Sequence, residues 1–292
     1  MTTNARERAA GLPCWSGPVN PEPVGGGITN ANFRVEDRSG CFFVRMGEDI
    51  PVHGIKRFNE VAASRAAHAA GLSPEVVHQE PGALVLRFVE GRTLEAEDVR
   101  KPETLEQILE LVTRCHRDVR RYLRGPTLAF WVFHVLRDYV HTLREGRSRL
   151  SSEMPRFTAA AETLESAVGR VDLVFGHNDL LAANFIDDGA RLWLIDWDYA
   201  GWGSALFDLG GLASNSELTA DQEDWLLSRY FEGSKDPLPR QAYLAMKCAS
   251  LLRESMWSLV SELHSSLDFD YVSYTTENLA RFESAHSDYQ AL

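Results

Sequence analysis

Cysteine and basic residues are both scarce in this sequence, and each scarcity argues against a class of protein. The four cysteines form no C-x-x-C pair and have no histidine at zinc-finger spacing; they are Cys14, Cys41, Cys115 and Cys248. That pattern is typical of reduced, buried thiols. Lys and Arg total 30 against 42 Asp and Glu, a formal net charge of −12. Because nucleic-acid binding needs a basic surface, we expect no nucleic-acid partner, and the charge suits a small cationic substrate better.

Long apolar runs are missing as well. No stretch approaches the roughly eighteen apolar residues that a membrane span requires, and residues 1–11 lack the apolar core of a secretory signal. We therefore expect no membrane span and a cytoplasmic location. A length of 292 residues suits one large domain or two lobes. The oligomeric state stays open, with a homodimer as one option.

The order of secondary-structure signals predicts two lobes. Residues 1–89 indicate a small antiparallel sheet with one helix: strands within 28–35 and 41–45, an Ala-rich helix within 55–70 ended by Gly71, and a hairpin of 76–78 with 83–88. Residues 90–292 are mostly helical: helices within 103–122, 130–150, 156–169, 219–231, 239–264 and 270–286, with short strands within 173–175, 184–186 and 191–195. The prediction is a bilobal α+β fold with a β-rich first lobe and a larger helical second lobe.

The segment from His177 to Asn184 carries the strongest chemical signal. Asp179 and Asn184 stand five residues apart, and Asp196 ends the next apolar strand. This is the spacing of the protein-kinase catalytic loop, in which an Asp is the base and an Asn and a second Asp hold Mg²⁺. Asp and Asn are also ordinary loop residues. Strands on both sides of the segment, however, would bring the three side chains together on one rim.

A second segment, His116-Arg117-Asp118, contains the literal His-Arg-Asp triplet of protein kinases. Leu123 stands where the metal-binding Asn should be, and no strand follows that could bring a metal-binding Asp. The segment also lies within a helical pattern. We interpret His116 as a packed helix residue and Asp118 as a solvated one.

Two features of the first lobe suit a nucleotide. The glycine run before Ile28 has no G-K-[ST] ending, so it is not a P-loop. We interpret it instead as a turn whose backbone amides approach phosphates. The candidate residues are Gly26, Gly27, Thr29 and Asn30. Arg45 closes a strand, and Glu60 lies on the following helix. Kinases pair a strand cation with a helix Glu to aim the cation at the phosphates, and Arg can bind them bidentately.

Aromatic residues concentrate in the second lobe. Trp202 follows the metal loop, Trp257 lies on a late helix, and Tyr271 follows it. Most tryptophans in such positions are core residues. Aromatic faces with a carboxylate can also hold an ammonium group, and Asp198, two residues after Asp196, is the candidate carboxylate.

Taken together, these residues resemble the choline/ethanolamine kinase family, within the aminoglycoside-phosphotransferase-like superfamily. The resemblance covers nearly the whole chain. It runs through the glycine turn, Val44-Arg45, the segment Glu90 to Leu94, the catalytic and metal motifs, and the C-terminal segments around Trp257 and Tyr271.

The resemblance implies a protein-kinase-like fold and ATP-dependent, Mg²⁺-assisted phosphorylation of a small cationic hydroxyl compound. Asp179 would deprotonate the hydroxyl, and the segment around Phe88 and Val89 would bind adenine through its backbone. Asp198, Trp257 and Tyr271 would face the ammonium group.

Two departures from the family pattern leave the acceptor open. Glu254 stands one helical turn before Trp257, where choline kinases place another tryptophan, and Leu181 replaces a polar residue of the catalytic loop. Within the same chemistry, thiamine, an aminoglycoside or a sugar are alternative acceptors. A catalytically silent nucleotide-binding protein is the alternative from another class.

Overall fold

The structure is a computed structural model that describes residues 2–25, 30–234, 236, 238–265, 267 and 269–291. Its N-terminal part is a five-stranded antiparallel sheet, in the order β1-β2-β3-β5-β4, with two helices. These elements are α1 (Thr2–Ala10), β1 (Glu22–Pro23), β2 (Ala31–Asp37), β3 (Gly40–Met46), α2 (Arg57–Ala69), β4 (Val76–Glu80) and β5 (Ala83–Arg87). The predicted strands and hairpin are present, whereas α1 was not predicted.

Strand alternation sets the direction of Arg45. Phe42 and Val44 of β3 are buried with Phe33 and Val35 of β2 in a small core on one face of the sheet. Because successive side chains of a strand point to opposite faces, Arg45 points to the other face, towards α2. Its register neighbours are Asn32 on β2 and Leu84 on β5.

Helix α2 joins the sheet to the rest of the chain. Its small residues Ala63, Ala66 and Ala67 are buried in the larger hydrophobic core, which also contains the C-terminal helices. The helix ends where predicted, since Gly71 has a φ of +74° that a glycine adopts without strain. The close packing of its alanines fixes the position of Glu60 on the same helix.

The second part of the chain is mostly helical. Its helices are α3 (Ala96–Val99), α4 (Pro102–Asp118), α5 (Val132–Glu145), α6 (Met154–Val168), α7 (Ala205–Asn215), α8 (Ala220–Tyr230), α9 (Arg240–His264) and α10 (Tyr271–Gln290). Helix α9 is at the centre and packs against α5, α6, α7 and α10. Apart from Arg253 and Glu254, residues 248–260 of this helix are apolar or small on every face, which is the pattern of a helix buried on every side.

Two small antiparallel sheets carry the loops that matter for chemistry. Strand β7 (Leu173–Gly176) pairs with β10 (Gly201–Ser204), and β6 (Arg92–Thr93), β8 (Phe185–Asp187) and β9 (Leu192–Leu194) form the other sheet. The loop from 177 to 184 leaves β7 and enters β8, and the loop from 195 to 200 connects β9 to β10. The two sheets therefore hold both loops at one place.

The predicted α+β class is confirmed. Thr219 caps α8 with a capping box to Gln222, as expected for its N-cap position. Strand β10 and helix α7 were not predicted, because Gly201-Trp202-Gly203-Ser204 has no strand-like alternation and α7 contains Gly210 and Gly211. The lobe boundary between residues 89 and 90 stays a prediction.

Candidate active site

One carboxylate holds the loop that follows β7. Asp208, near the start of α7, accepts hydrogen bonds from the backbone N–H of His177 (2.8 Å) and of Asn178 (2.6 Å). Asn178 has a φ of +65°, a left-handed conformation that Asn tolerates better than most residues. The His177 side chain donates from Nε2 to the carbonyl of Ile195 at 2.9 Å, which ties this loop to the one carrying Asp196.

Asp179 lies at the tip of this loop, partly buried, with 17% of its side chain exposed. Burial raises the pKa of its carboxyl to about 7, with the nearby Arg253 acting against the rise. Its backbone carbonyl accepts from Asn184 Nδ2 at 2.8 Å. A carboxylate whose pKa lies near neutrality is well suited to accept a proton from a hydroxyl at physiological pH.

Asn184 and Asp196 lie next to Asp179 and offer oxygen ligands. The amide nitrogen of Asn184 donates to the Asp179 carbonyl, so the amide oxygen is the side-chain atom left for a ligand, and Asn184 lines a cavity together with Asp196. Burial acts to raise the pKa of Asp196, but Arg45 outweighs it and keeps this pKa below its usual value. A carboxylate and an amide oxygen fit Mg²⁺, which completes its shell with phosphate oxygens and water. Within the described ranges, no cluster of three or more His, Cys, Asp or Glu side chains could hold an ion alone.

Arg45 is the centre of a buried ion-pair cluster. Its Nη1 lies 2.6 Å from Glu60 Oε1, 3.1 Å from Asp196 Oδ1 and 2.7 Å from Asp198 Oδ1. Arg57, which was not predicted, adds a second cation at 2.6 Å from Glu60 and 2.8 Å from Asp198. The predicted Arg45–Glu60 pair is thus formed, and Glu60 of α2 holds the arginine beside Asp196.

Asp198 has different neighbours from those expected. Its carboxylate is almost fully buried and accepts from both Arg45 and Arg57. A carboxylate neutralised by two arginines has little attraction left for a substrate ammonium. We therefore assign Asp198 to the ion-pair cluster and correct its expected place in the acceptor pocket.

A cavity of about 310 Å³ lies between the N-terminal sheet and the β6-β8-β9 sheet. Predicted residues that line it are Arg45, Phe88, Val89, Asn184 and Asp196. Gly26, Gly27 and Thr29 lie outside the described residues, and Asn30 accepts from Arg57 Nη2 at 2.8 Å.

A larger cavity, about 640 Å³, opens between α2 and the β4–β5 turn. It touches Arg45 and Glu60. It does not touch Asp179, Asn184 or Asp196.

An aromatic cluster is linked to Asp179 through Arg253 and Tyr199. Trp257 lies 6.3 Å from Tyr271 and 6.4 Å from Tyr274, ring centre to ring centre, and Phe269 packs on both tyrosines. Trp257 Nε1 donates to Tyr199 Oη at 3.0 Å. Trp202 is not part of this cluster; it packs on Phe175 across the β7–β10 pair and donates to Thr127.

His53 ties the aromatic cluster to the N-terminal part. It lies between β3 and α2, stacks on Trp257 at 5.4 Å, and makes 3.0 Å hydrogen bonds with Tyr139 and Ser261. Burial lowers its pKa to about 3, so the ring is neutral. The segment that follows β3 thus helps to position the ring of Trp257.

Arg253 and Glu254 are the most informative residues that were not predicted as a pair. On α9 they stand beside Asp179, with Arg253 Nη1 3.5 Å from Asp179 Oδ1 and 2.9 Å from Glu254 Oε2. The guanidinium lies over the ring of Tyr199 at 4.3 Å. An adjacent Arg-Glu pair inside an otherwise apolar helix was the sequence signal for them.

The interpretation of His116 agrees with the structure. This residue is buried in α4 and bonds Tyr230 at 2.8 Å and Asp208 at 2.9 Å, whereas Asp118 pairs with Arg117 near the surface. The literal kinase triplet is therefore not in the cleft. His116 instead bonds Asp208, the carboxylate that holds the loop carrying Asp179.

Comparisons with known proteins agree with this geometry. The profile of the family described as Choline/ethanolamine kinase matches residues 22–224. A probable ethanolamine kinase of Arabidopsis thaliana is 26% identical, with 87% of this chain and 76% of that protein covered. The solved choline/ethanolamine kinase family protein of Mesorhizobium loti is 29% identical at a TM-score of 0.78, covering 98% and 95% of the two chains.

A solved LicA in complex with AMP is 21% identical, with a TM-score of 0.77 over 98% of this chain and 99% of that one. These likenesses confirm the predicted bilobal, protein-kinase-like fold. No helix in the described part of the chain is long and apolar enough to cross a membrane. The chain belongs to the choline/ethanolamine kinase family and is a phosphotransferase with an alcohol group as acceptor.

Proposed function

We propose that the protein transfers the γ-phosphoryl group of ATP, with Mg²⁺, to the hydroxyl of a small amino alcohol of the choline/ethanolamine class. The observation that carries this proposal is the position of Asp179. Its partly buried carboxyl stands beside Asn184, which lines the 310 Å³ cavity, and beside Arg253, which lies over Tyr199, the hydrogen-bond partner of Trp257. A base near both a nucleotide cavity and an aromatic cluster suits phosphoryl transfer to a hydroxyl.

The nucleotide side of this proposal rests on the cavity. Arg45 would bind nucleotide phosphates, held by Glu60, and the backbone around Phe88 and Val89 would bind adenine. The glycine turn with Gly26, Gly27, Thr29 and Asn30 would approach the phosphates. The LicA solved in complex with AMP supports a nucleotide as the ligand.

The Mg²⁺ part of the proposal rests on the oxygen atoms that Asn184 and Asp196 offer. Asn184 and Asp196 would hold Mg²⁺, which when bound neutralises phosphate charge. The protein's own contribution is to keep Asp196 ionised through Arg45 and to fix Asn184 through its bond to the Asp179 carbonyl.

On the acceptor side, Asp179 would take the hydroxyl proton as the oxygen attacks phosphorus. Trp257 and Tyr271 would face the cationic end of the acceptor, whose charge is attracted to aromatic faces. Tyr199 and His53 hold Trp257 in place. A bound acceptor would place its hydroxyl within hydrogen-bond reach of this base.

ADP release with ATP and Mg²⁺ tests the proposal. The acceptors to compare are ethanolamine, choline, thiamine, an aminoglycoside and a sugar. An amino alcohol should stimulate ADP release by at least about tenfold over the acceptor-free rate. Stimulation by a sugar alone would contradict the amino-alcohol class, and no stimulation by any of them would favour a silent nucleotide-binding protein.

The rate should also fall in acid because of Asp179. Its pKa is raised to about 7 by burial, so the proton-accepting form is present above that pH and is lost as the pH falls through it. We expect kcat/KM for the acceptor to drop about tenfold per pH unit below this pKa. Profiles from about pH 5 to about pH 9 measure it; a carboxyl at its ordinary pKa would keep the rate flat to about pH 5.

A further inference from the structure

Arg57, the first residue of α2, joins four segments of the chain. Its Nη1 lies 2.6 Å from Glu60 Oε2 and 2.8 Å from Asp198 Oδ1. Its Nη2 donates to Asn30 Oδ1 at 2.8 Å, and its Nε donates to the carbonyl of Glu48 at 2.9 Å. Each of the three guanidinium nitrogens therefore has an acceptor. The end of the glycine turn, the segment after β3, helix α2 and the loop between β9 and β10 meet at this one side chain.

Asn30 is closely confined at its end of this link. Its amide oxygen lies against the backbone of Gly47, where an added Cβ would overlap that oxygen and would lie 3.6 Å from Arg57 Nη2. A side chain at position 47 would therefore push Asn30 away from Arg57. Strand β2 begins at the next residue, Ala31, so the bond to Arg57 fixes the place where the glycine turn ends and the sheet begins.

Two carboxylates are shared between Arg57 and Arg45. Glu60 binds Arg45 through Oε1 and Arg57 through Oε2, at 2.6 Å in both cases. Asp198 accepts from both arginines through Oδ1. Without Arg57, one nitrogen of Arg45 would face these two carboxylates and Asp196 alone. Because Arg57 binds Glu60 and Asp198 as well, Arg45 can turn towards nucleotide phosphates without leaving two buried carboxylates unpaired.

We infer that Arg57 is a positioning residue for the nucleotide phosphates. It holds the end of the glycine turn through Asn30, and it binds Glu60 and Asp198 so that Arg45 is released to the phosphates. The inference rests on the proposed function and adds a residue to it. In the part of the chain that the structure describes, the 310 Å³ cavity is lined by Arg45 and not by Arg57. Arg57 therefore acts through its partners and does not touch the nucleotide.

Arg57 also forms part of the wall of the larger cavity, about 640 Å³, together with Glu60. The Glu60 side chain is only 2% exposed. A shorter side chain at position 57 would widen this cavity next to Glu60 and admit water to it. Water weakens charge pairs because it raises the local dielectric constant. Loss of Arg57 should therefore loosen the Arg45–Glu60 pair as well as release Asn30.

Steady-state kinetics of Arg57→Met test the inference, with the acceptor that stimulates ADP release most. The KM for ATP should rise by at least about tenfold, the effect of losing charged hydrogen bonds, while the KM for the acceptor stays within about twofold. Arg57→Lys keeps the charge but lacks the planar fork, so it cannot bind Asn30, Glu60 and Asp198 together. Its KM for ATP should lie between those of the unmodified protein and Arg57→Met.

Lys56→Met is the matched control, because it removes one positive charge from the adjacent position. The Lys56 side chain is 38% exposed and pairs with Asp49. This variant should keep the KM for ATP within about twofold. A purely structural role for Arg57 predicts a lower Tm and a lower kcat with the KM for ATP unchanged, because KM does not depend on the amount of folded enzyme.

Calorimetry with ADP and Mg²⁺ gives a second readout that does not need turnover. The Kd of ADP is measured for the unmodified protein, Arg57→Met, Asn30→Ala and the double variant. If Arg57 acts through Asn30, the double variant should bind ADP about as weakly as Arg57→Met alone, because the two residues are coupled. Independent contributions would instead multiply the two fold-changes.

Three results would overturn the inference: an unchanged KM for ATP in both Arg57 variants, an equal rise in the KM for the acceptor, or fold-changes that multiply in the double variant. Failure of every acceptor to stimulate ADP release is a different result, which would contradict the proposed function. The calorimetric comparison would still decide for or against the role of Arg57, because it measures nucleotide binding alone.

Discussion

Asp179→Asn is expected to reduce kcat by about 10²–10⁴, the usual contribution of a general base. The substituted amide keeps the size of the side chain and cannot accept the hydroxyl proton. The cavity that we assign to the nucleotide is lined by Arg45, Phe88 and Val89 and not by Asp179. ATP binding should therefore survive, and steady-state kinetics with equilibrium nucleotide binding measure both halves of the prediction.

The literal His-Arg-Asp triplet provides the matched control. Asp118 pairs with Arg117 and Arg121 near the surface, outside the cleft. Asp118→Asn should leave kcat within about twofold of the unmodified protein. Unchanged turnover in Asp179→Asn would remove the role given to Asp179, and a large loss in Asp118→Asn would mean that the wrong triplet was chosen.

Local pattern was enough to predict most of the fold. A short apolar run marked β3, the Ala-rich run marked α2, and the Pro81-Gly82 turn marked the β4–β5 hairpin. The same holds for the central chemistry, because Asp179 and Asn184 lie in one short loop between two strands that follow each other in the chain. These features depend on neighbours in sequence, which a sequence shows directly.

The parts of the fold that the sequence pattern did not predict depend on long-range contacts. Strand β10 forms because residues 201–204 pair with β7, and α7 is helical despite its two glycines because Gly210 packs closely on Lys247 of α9. A Cβ at Gly210 would lie 2.9 Å from that backbone. Such pairings exist only in the folded chain and override local propensity.

The acceptor side was predicted less well for the same reason. Asp198 follows Asp196 by two residues and looks like a free carboxylate, but the fold places it 2.8 Å from Arg57, which is 141 positions away in sequence. Arg253 is 74 positions from Asp179. Charge pairs across such separations decide whether a carboxylate is available to a ligand, and no local motif records them.

Asp208 is the long-range contact on which the catalytic loop depends most, and its removal should have the largest effect on stability. It is 1% exposed and accepts from the His177 and Asn178 amides and from His116. Burial acts to raise its pKa, but its bond to His116 outweighs this and keeps the pKa below its usual value, so the group is ionised. Asp208→Ala leaves three buried donors without an acceptor.

We expect Asp208→Ala to lower the free energy of unfolding by about 3–5 kcal/mol, the range for breaking a buried charged network. The midpoint of thermal unfolding should fall by roughly 10 °C. Asp172→Ala, an exposed residue just before β7, is the control and should change little. A shift for Asp208→Ala as small as that of the control would show that water or another group can replace the carboxylate.

Asp208→Asn separates stability from catalysis. The amide retains one acceptor oxygen but places an NH₂ group where the second carboxylate oxygen accepted, so one N–H of the loop must turn away. Stability should then fall less than in Asp208→Ala, while kcat falls by at least about tenfold because Asp179 follows directly after the displaced Asn178. Retained kcat would mean that Asn184 and His177 alone fix the loop. The position of the base would then depend on the metal side of the site rather than on α7.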